Sequence, residues 1–360
     1  MPCPINLNYW WNYGSLLGLV LIIQIVTGFV LACHYNAGTE EAFNSVQHIM
    51  RNVNKGWAWR YAHMNGASFM FMFVYIHIAR GIYYGGYLKS TVWLSGIVLL
   101  ILMMATAFLG YVLPWGQMSF WGATVITNFI TVIPYVGNFI AEWVWGGYSV
   151  GGPTLTRFFA LHFLCPFIIV VVVIIHIILL HEEGSSCPMG LETKYTLIPF
   201  HPFYTVKDLY GFSVFMLFFN FVIFFHPYMF AEADNFIKAN PMVTPIHIMP
   251  EWYFLFAYAI LRCIPSKGMG VVMLMLSLLV LSVMPFNHIS YTKGLYFYPL
   301  SQHLFWWFIA CFGGLTWVGS KPAEAPYQGF AVLLYHSYFY YLILVHPILP
   351  YLEEKYLMRY

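Results

Sequence analysis

Residues 158–181 read FFALHFLCPFIIVVVVIIHIILLH, and residues 61–80 read YAHMNGASFMFMFVYIHIAR. Each run is apolar and long enough to cross a bilayer as a helix. Each also carries two histidines 14 residues apart, His162 and His176 in one, His63 and His77 in the other. On an α-helix that separation is about 1400° of rotation, roughly 40° short of four turns, and about 21 Å of rise. Each pair therefore projects from one face, near the two ends of its helix. An ionisable ring in lipid is costly and reads as functional by default. Two such helices facing each other supply two imidazoles at each of two depths, the arrangement that holds a haem iron from both faces.

The rest of the chain agrees with a membrane setting. Of its residues 61% are hydrophobic and only 8% charged, with a mean hydropathy of +0.72, whereas soluble domains carry roughly 25% charged residues. Apolar stretches at 16–32, 61–79, 92–113, 158–180, 209–230, 269–286, 304–318 and 330–349 predict eight spans in one continuous membrane domain. A net charge of +2 without a basic tract argues against nucleic acid as a partner. The opening MPCPINLNYWWNYG has no positively charged leader, so no cleavable signal is expected. The six cysteines (Cys3, Cys33, Cys165, Cys187, Cys263 and Cys311) form no CxxC or CxxCH. They read as packing or loop residues, and any haem is expected to be held non-covalently.

Let side X be the side reached by the first span and side Y the other. Span parity then groups His63 with His162 towards X, and His77 with His176 towards Y. The X loops 114–157 and 231–268 are long and rich in aromatics; TVITNFITVIPYVGNFIAEWVW and PEWYFLFAYAIL within them predict amphipathic helices lying on the bundle. Arg60 and Arg80 each stand three residues from a histidine, on its helix face, and Arg157 precedes the fourth span. Guanidinium groups at the membrane edge suit the two carboxylates of a haem, while for any one arginine interfacial snorkelling is the ordinary alternative. Spans one and three repeat the period: Gly14 and Gly28, Gly96 and Gly110. Close helix packing explains one such pair. Its repetition on two helices suggests a flat macrocycle pressed against the backbone at two depths, inside a four-helix cage.

The stretches WWNYGSLLG, RYAHMNGAS, GYVLPWGQMSFWGATVITN, WGGYSVGGPTLTRFFALHF, GSSCP, IPFHPFYTVKDLYGF, PEWYF and YPLSQHLFWW span nearly the whole chain. Together they resemble cytochrome b, the haem-bearing core subunit of ubiquinol–cytochrome c oxidoreductase (respiratory complex III). The plastid relative divides its equivalent over two polypeptides, so one chain with equal histidine spacings looks like the respiratory form. The resemblance implies an all-α protein of eight transmembrane helices. Residues 1–205 would form a four-helix bundle around two haems b with the first half of both quinone sites, and 206–360 a second helix group with the PEWY loop.

It implies further that His63 and His162 hold the low-potential haem, and His77 and His176 the high-potential haem. Side X would face the intermembrane space and side Y the matrix of a mitochondrion, in whose inner membrane the chain would sit. On side X, Pro250 and Glu251 belong to the quinol-oxidation motif, with Glu251 taking a proton from ubiquinol. Tyr258, Met118, Trp121 and Gly122 would complete that pocket. On side Y, His181, Ser185, Lys207 and Asp208 would border the pocket where ubiquinone is reduced, His181 and Asp208 supplying protons. Family members carry a longer segment ahead of the WWN stretch, with a helix roofing the side-Y pocket, so that lining is expected to differ here. Implied partners are a Rieske iron–sulfur protein, a cytochrome c1-type subunit, other complex III subunits, membrane lipid and a second copy of the complex.

Two other classes fit parts of the pattern. A proton-coupled transporter would use intramembrane histidines as a relay, but needs neither equal spacings on two helices nor matched glycines on two more. A different bis-histidine membrane reductase would account for the haem positions but not for PEWY and the long X loops.

Overall fold

The computed structural model describes residues 2–191 and 196–357. The first apolar stretch forms α1 (Tyr13–Ala32), followed on side X by α2 (Ala42–Asn52), a helix that the apolar pattern does not predict. Then come α3 (Gly56–Tyr83) and α4 (Ser90–Val112). The first long X loop holds α5 (Gln117–Thr127) and α6 (Gly137–Trp145), and leads to α7 (Gly152–Glu183). After α8 (Phe203–Phe225), the second X loop ends in α9 (Leu255–Cys263). The chain closes with α10 (Lys267–Leu279), α11 (Pro299–Gly319), α12 (Tyr327–Tyr340) and α13 (His346–Leu357).

Among the described residues seven helical segments are long and apolar enough to cross a membrane, against eight expected. The stretch expected as span seven is helical over 21 residues as α11. Its Gln302, His303 and three tryptophans (Trp306, Trp307, Trp317) dilute the aliphatic content, and it falls short on hydropathy. The chain is thus an all-α multi-pass membrane protein with seven candidate spans. Two spans are not uniform α-helix. Lys267–Phe286 tightens to a 3₁₀ turn at Val280–Phe286, where Pro285 removes a backbone donor. The last span passes through a π turn at Tyr341–Val345 between α12 and α13.

α1 packs on α3 and α4 packs on α7, so the histidine helices each face a glycine helix. α8 joins the first pair: Phe215, Phe219, Val222 and Ile223 bury against Leu16, Val20 and Phe69. The second core gathers α9 to α12 against α4.

The two long X loops differ from expectation in opposite ways. Residues 124–145 do make exposed helix, with Phe139 and Trp143 open, but Pro134 and a left-handed Tyr135 break it in two. PEWYFLFAYAIL does not lie on the bundle. Leu255, Phe256, Ala257, Ala259 and Ile260 are all buried, because this apolar face packs against α10 and α11, while Tyr258 and Arg262 lie on the partly exposed face. The loops are stitched together by Gln117 N to Ile237 O (3.0 Å), Ala239 N to Trp115 O (3.0 Å), and Asn235 Oδ1, which accepts from both Ser119 N and Ser119 Oγ at 2.9 Å. On side Y, β1 (Pro2–Pro4) pairs antiparallel with β2 (Leu197–Pro199), which draws the start of the chain across that end.

Candidate functional site

α3 and α7 bring His63 and His162 together with ring centroids 6.1 Å apart and planes at 88°. Two imidazoles each bonded at about 2.0 Å to one metal would have ring centroids roughly 6 Å apart, so the separation suits a shared metal. The hydrogen bonds select the tautomer. Thr27 Oγ1 gives its own hydrogen to Ile23 O (2.7 Å) and accepts from His63 Nδ1 at 2.9 Å. His162 Nδ1 donates to Thr106 O at 2.8 Å. Ser95 Oγ gives its hydrogen to Val92 O (2.8 Å) and accepts from His176 Nδ1 at 2.8 Å. The carbonyl partner fixes the His162 proton on Nδ1, and the hydroxyl partners of His63 and His176 accommodate the same form, whose Nε2 lone pair is what a metal ligand requires.

His77 is the exception. Its Nδ1 lies 3.1 Å from Arg80 Nη2, and a guanidinium can only donate, so the His77 proton is on Nε2. Arg80 also lies over the Trp11 ring at 5.1 Å, and its Nε is buried with no hydrogen-bond partner among the described residues. A carboxylate that drew Arg80 away would release the ligand form of His77.

The four glycines each face one of the four histidines. A Cβ on Gly28 would stand 2.9 Å from His63 Cε1, and one on Gly110 would stand closer still to His162 Cε1. On Gly14 it would meet His77 Cε1 at 3.6 Å, and on Gly96 His176 Cε1 at 3.4 Å. The side chain that these positions lack would meet the imidazole edges. Thr27 and Ser95 each directly precede a facing glycine, a Thr-Gly and Ser-Gly signal that the spacing of histidines and glycines misses.

A cavity of about 1000 Å³ lies at the X level, lined by His63, His162, Gly28, Gly110 and Arg60, and continues to Tyr111, Glu232, Glu251 and Tyr253. The residues after Pro250 are fixed to one face of α3. Trp252 Nε1 donates to Ser68 Oγ (3.1 Å), Tyr253 stacks on Phe71 at 4.2 Å, and Tyr75 donates to the Tyr253 carbonyl. This turns Glu251 into the cavity. Burial pushes its carboxyl up to about 7, the nearby Glu232 carboxylate adds to this, and Arg60 pulls the other way. Glu232 is itself raised, by burial and then by Asp234. A carboxyl poised near neutrality can take and give a proton at working pH.

Met118, Gly122, Pro250 and Tyr258 do not line this cavity. Met118 is buried, space opposite Gly122 is open, and Tyr258 Oη reaches Ile248 O at 3.4 Å while Arg262 lies over its ring. Trp121 lines a smaller neighbouring cavity with Phe120 and Trp145. Arg157 is exposed and donates to Trp143 O, away from the histidines.

On side Y, Asp208 Oδ1 accepts from Ser15 Oγ at 2.8 Å, and Ser15 directly follows Gly14, the glycine that faces His77. Lys207 Nζ donates to Leu7 O at 2.6 Å and covers the Tyr9 ring. Asn12 donates to Lys207 O at 3.0 Å. Residues 2–12 thus cover this end, a role invisible in their composition. Ser185 is half-buried, and His181 is exposed with no hydrogen bond to Asp208 among the described residues.

Residues 1–184 match the family model described as cytochrome b/b6/petB, and 238–339 the one described as cytochrome b(C-terminal)/b6/petD. A solved structure described as a hyperthermophilic respiratory complex III contains a similar chain. Its identity to this one is 33% and its TM-score 0.93, over 98% of this chain and 94% of that one.

Proposed function

Since the chain belongs to the cytochrome b family, we propose that its two histidine levels hold two haems b, His63 with His162 and His77 with His176. Its activity is electron transfer within complex III, as a subunit of a quinol:cytochrome c oxidoreductase. The observation that carries the haem reading is the X level, where two imidazoles 6.1 Å apart both keep Nδ1–H tied and share one cavity with Glu251. When bound, the haems supply one-electron carriers between the two sides.

The chain's own residues supply the rest. Glu251 accepts a proton from a quinol hydroxyl in the X cavity, and Arg60, lining the same wall, offers a carboxylate partner to the prosthetic group. Arg80 does the same on side Y by leaving His77. There Asp208, oriented by Ser15 and preceded by Lys207, provides protons together with His181 for a quinone being reduced. Met118, Gly122, Pro250 and Tyr258 on side X, and Ser185 on side Y, are pocket positions by family resemblance, as is Arg157 for haem contact.

The proposal extends to an eighth span at α11, to a division near residue 205, and to ubiquinone as substrate. It includes a Rieske protein and a cytochrome c1-type subunit as partners in a dimeric complex, in the inner membrane of a mitochondrion with side X outward. A reduced-minus-oxidised optical spectrum of the purified complex tests it. Two low-spin haem signals per chain are expected, one lost in His63→Ala; a featureless spectrum rejects the reading.

A further inference from the structure

Glu251 sits between two anchors in the second X loop. Beyond it, Trp252 and Tyr253 are fixed to α3 through Ser68 and Phe71. Ahead of it the anchor is Tyr258, whose hydroxyl donates to Ile248 O at 3.4 Å. A single long hydrogen bond from a ring free to swing would hold little. What steadies the ring is Arg262, one helical turn further along α9, with its guanidinium 5.1 Å from the ring centroid.

Arg262 is in turn fixed to the end of α11. Its Nη2 donates to Lys321 O at 2.7 Å, and its Nη1 reaches Gly319 O at 3.4 Å. Carbonyls at a helix end have no intrahelical donor, and the planar fork of a guanidinium can serve two of them while its face stays on an aromatic ring. The junction is close by design of the backbone: a Cβ on Gly319 would overlap Leu255 O, at the start of α9. α11 therefore presses on α9 four residues after Glu251, and Arg262 ties the same two helices seven residues later. Arg262 Nε is enclosed with no hydrogen-bond partner among the described residues, so the two carbonyls and the Tyr258 ring are what the side chain serves.

We propose that Arg262 is a positioning residue for quinol oxidation: by holding the Tyr258 ring between the end of α11 and Ile248 O, it fixes the residues ahead of Glu251 and keeps that side chain turned into the X cavity. The proposal rests on Glu251 being the proton acceptor there. Arg262 does not line the cavity. The charged and titratable groups that face Glu251 are Arg60 of α3, Tyr111 of α4, and Glu232 and Tyr253 of the second X loop. Arg262 therefore acts by position rather than by charge. Without it the segment 248–251 gains freedom and Glu251 meets more water. Burial is the main cause that lifts its carboxyl to about 7, so loosening the segment lowers its proton affinity.

Quinol oxidation by the whole complex, measured against pH and quinol concentration, tests this. In Arg262→Gln kcat should fall about tenfold, the scale of a displaced catalytic group, while KM stays within about twofold. The climb of turnover with pH should move about one unit lower, a tenfold change in proton activity. In a Glu251→Gln background the same change should cost nothing further, because a residue that acts through Glu251 is silent without it. If Arg262→Gln does not assemble, Arg262→Lys, which keeps the charge but not the planar fork, should move the climb the same way by less. A climb that stays in place in the assembled variant, or a full further loss in the Glu251→Gln background, overturns the proposal. If instead Glu251 is not the acceptor, Glu251→Gln alone keeps the wild-type climb, and the proposal falls with that reading.

Discussion

The X and Y histidine levels share the same four helices and the same spacing, yet are built to different tolerances. At the X level the glycine positions are so tight that a methyl group would overlap the imidazoles, at 2.9 Å for Gly28 and closer for Gly110. Both rings there are oriented by uncharged acceptors, and the level opens into the cavity that holds Glu251. At the Y level the same contacts relax to 3.6 and 3.4 Å, and one ring is engaged by a cation. Identical ligand spacing therefore does not make identical sites. At the X level both rings hold uncharged partners, whereas at the Y level Arg80 donates to His77.

The largest effects should come from the ligands. His63→Ala or His162→Ala should abolish the X-level haem signal, and His77→Ala or His176→Ala the Y-level one, each leaving one haem of two in assembled complex. Pyridine haemochrome content and the difference spectrum measure this. Retention of both signals in any of the four would break the assignment. Quinol oxidation should fall further in the X-level variants, because only that level shares its cavity with Glu251.

Next is Glu251→Gln, which keeps the shape and removes the base. Quinol oxidation should drop by about 100-fold, the lower end for loss of a positioned general base. The sign of the pH dependence follows from burial. With the carboxyl raised to about 7, the ionised, proton-accepting form grows as pH rises through that value, so wild-type turnover should climb there and the variant should be flat. A variant that keeps the climb would assign the titration to another group.

On side Y the corresponding change is Asp208→Asn. Its carboxylate is already committed to Ser15, and Lys207 directly precedes it. We expect a roughly tenfold slower reoxidation of the Y-level haem by quinone, below the usual range for a sole proton donor. Rapid mixing follows it directly. A loss as large as that of Glu251→Gln would mean that side Y is as singular as side X, and the contrast between the levels would collapse for proton chemistry.

Much of this molecule is legible in its sequence, and the reason is periodic. Fourteen residues is so near a whole number of helical turns that ligands and glycines declare their faces by spacing alone. Span parity then decides which histidines meet. What spacing cannot show are interactions across elements: that Thr27 and Ser95 orient His63 and His176, or that Arg80 turns onto His77. The burial of α9 departs from expectation because an aromatic run after a proline reads as interfacial, whereas its apolar face is taken up by α10 and α11. The cover that residues 2–12 give to side Y depends on strand pairing with residues nearly two hundred positions away, which no local pattern carries.

The smallest effects give the sharpest comparison, because they test tolerance rather than chemistry. Alanine in place of a helical glycine is intrinsically favourable by about 1 kcal/mol. At Gly14 the new methyl would sit 3.6 Å from His77 Cε1, an ordinary contact, so Gly14→Ala should be neutral or slightly stabilising. At Gly110 the methyl would overlap His162 Cε1, and the ring cannot yield without losing its bond to Thr106 O. Overpacking of that kind costs about 1–3 kcal/mol, which cancels or outweighs the propensity gain. Thermal denaturation followed at each haem's own absorption should show Gly110→Ala lowering the melting temperature while Gly14→Ala does not. Equal behaviour of the two would mean that both levels have the same slack, and that the asymmetry lies in charge and hydrogen bonding alone.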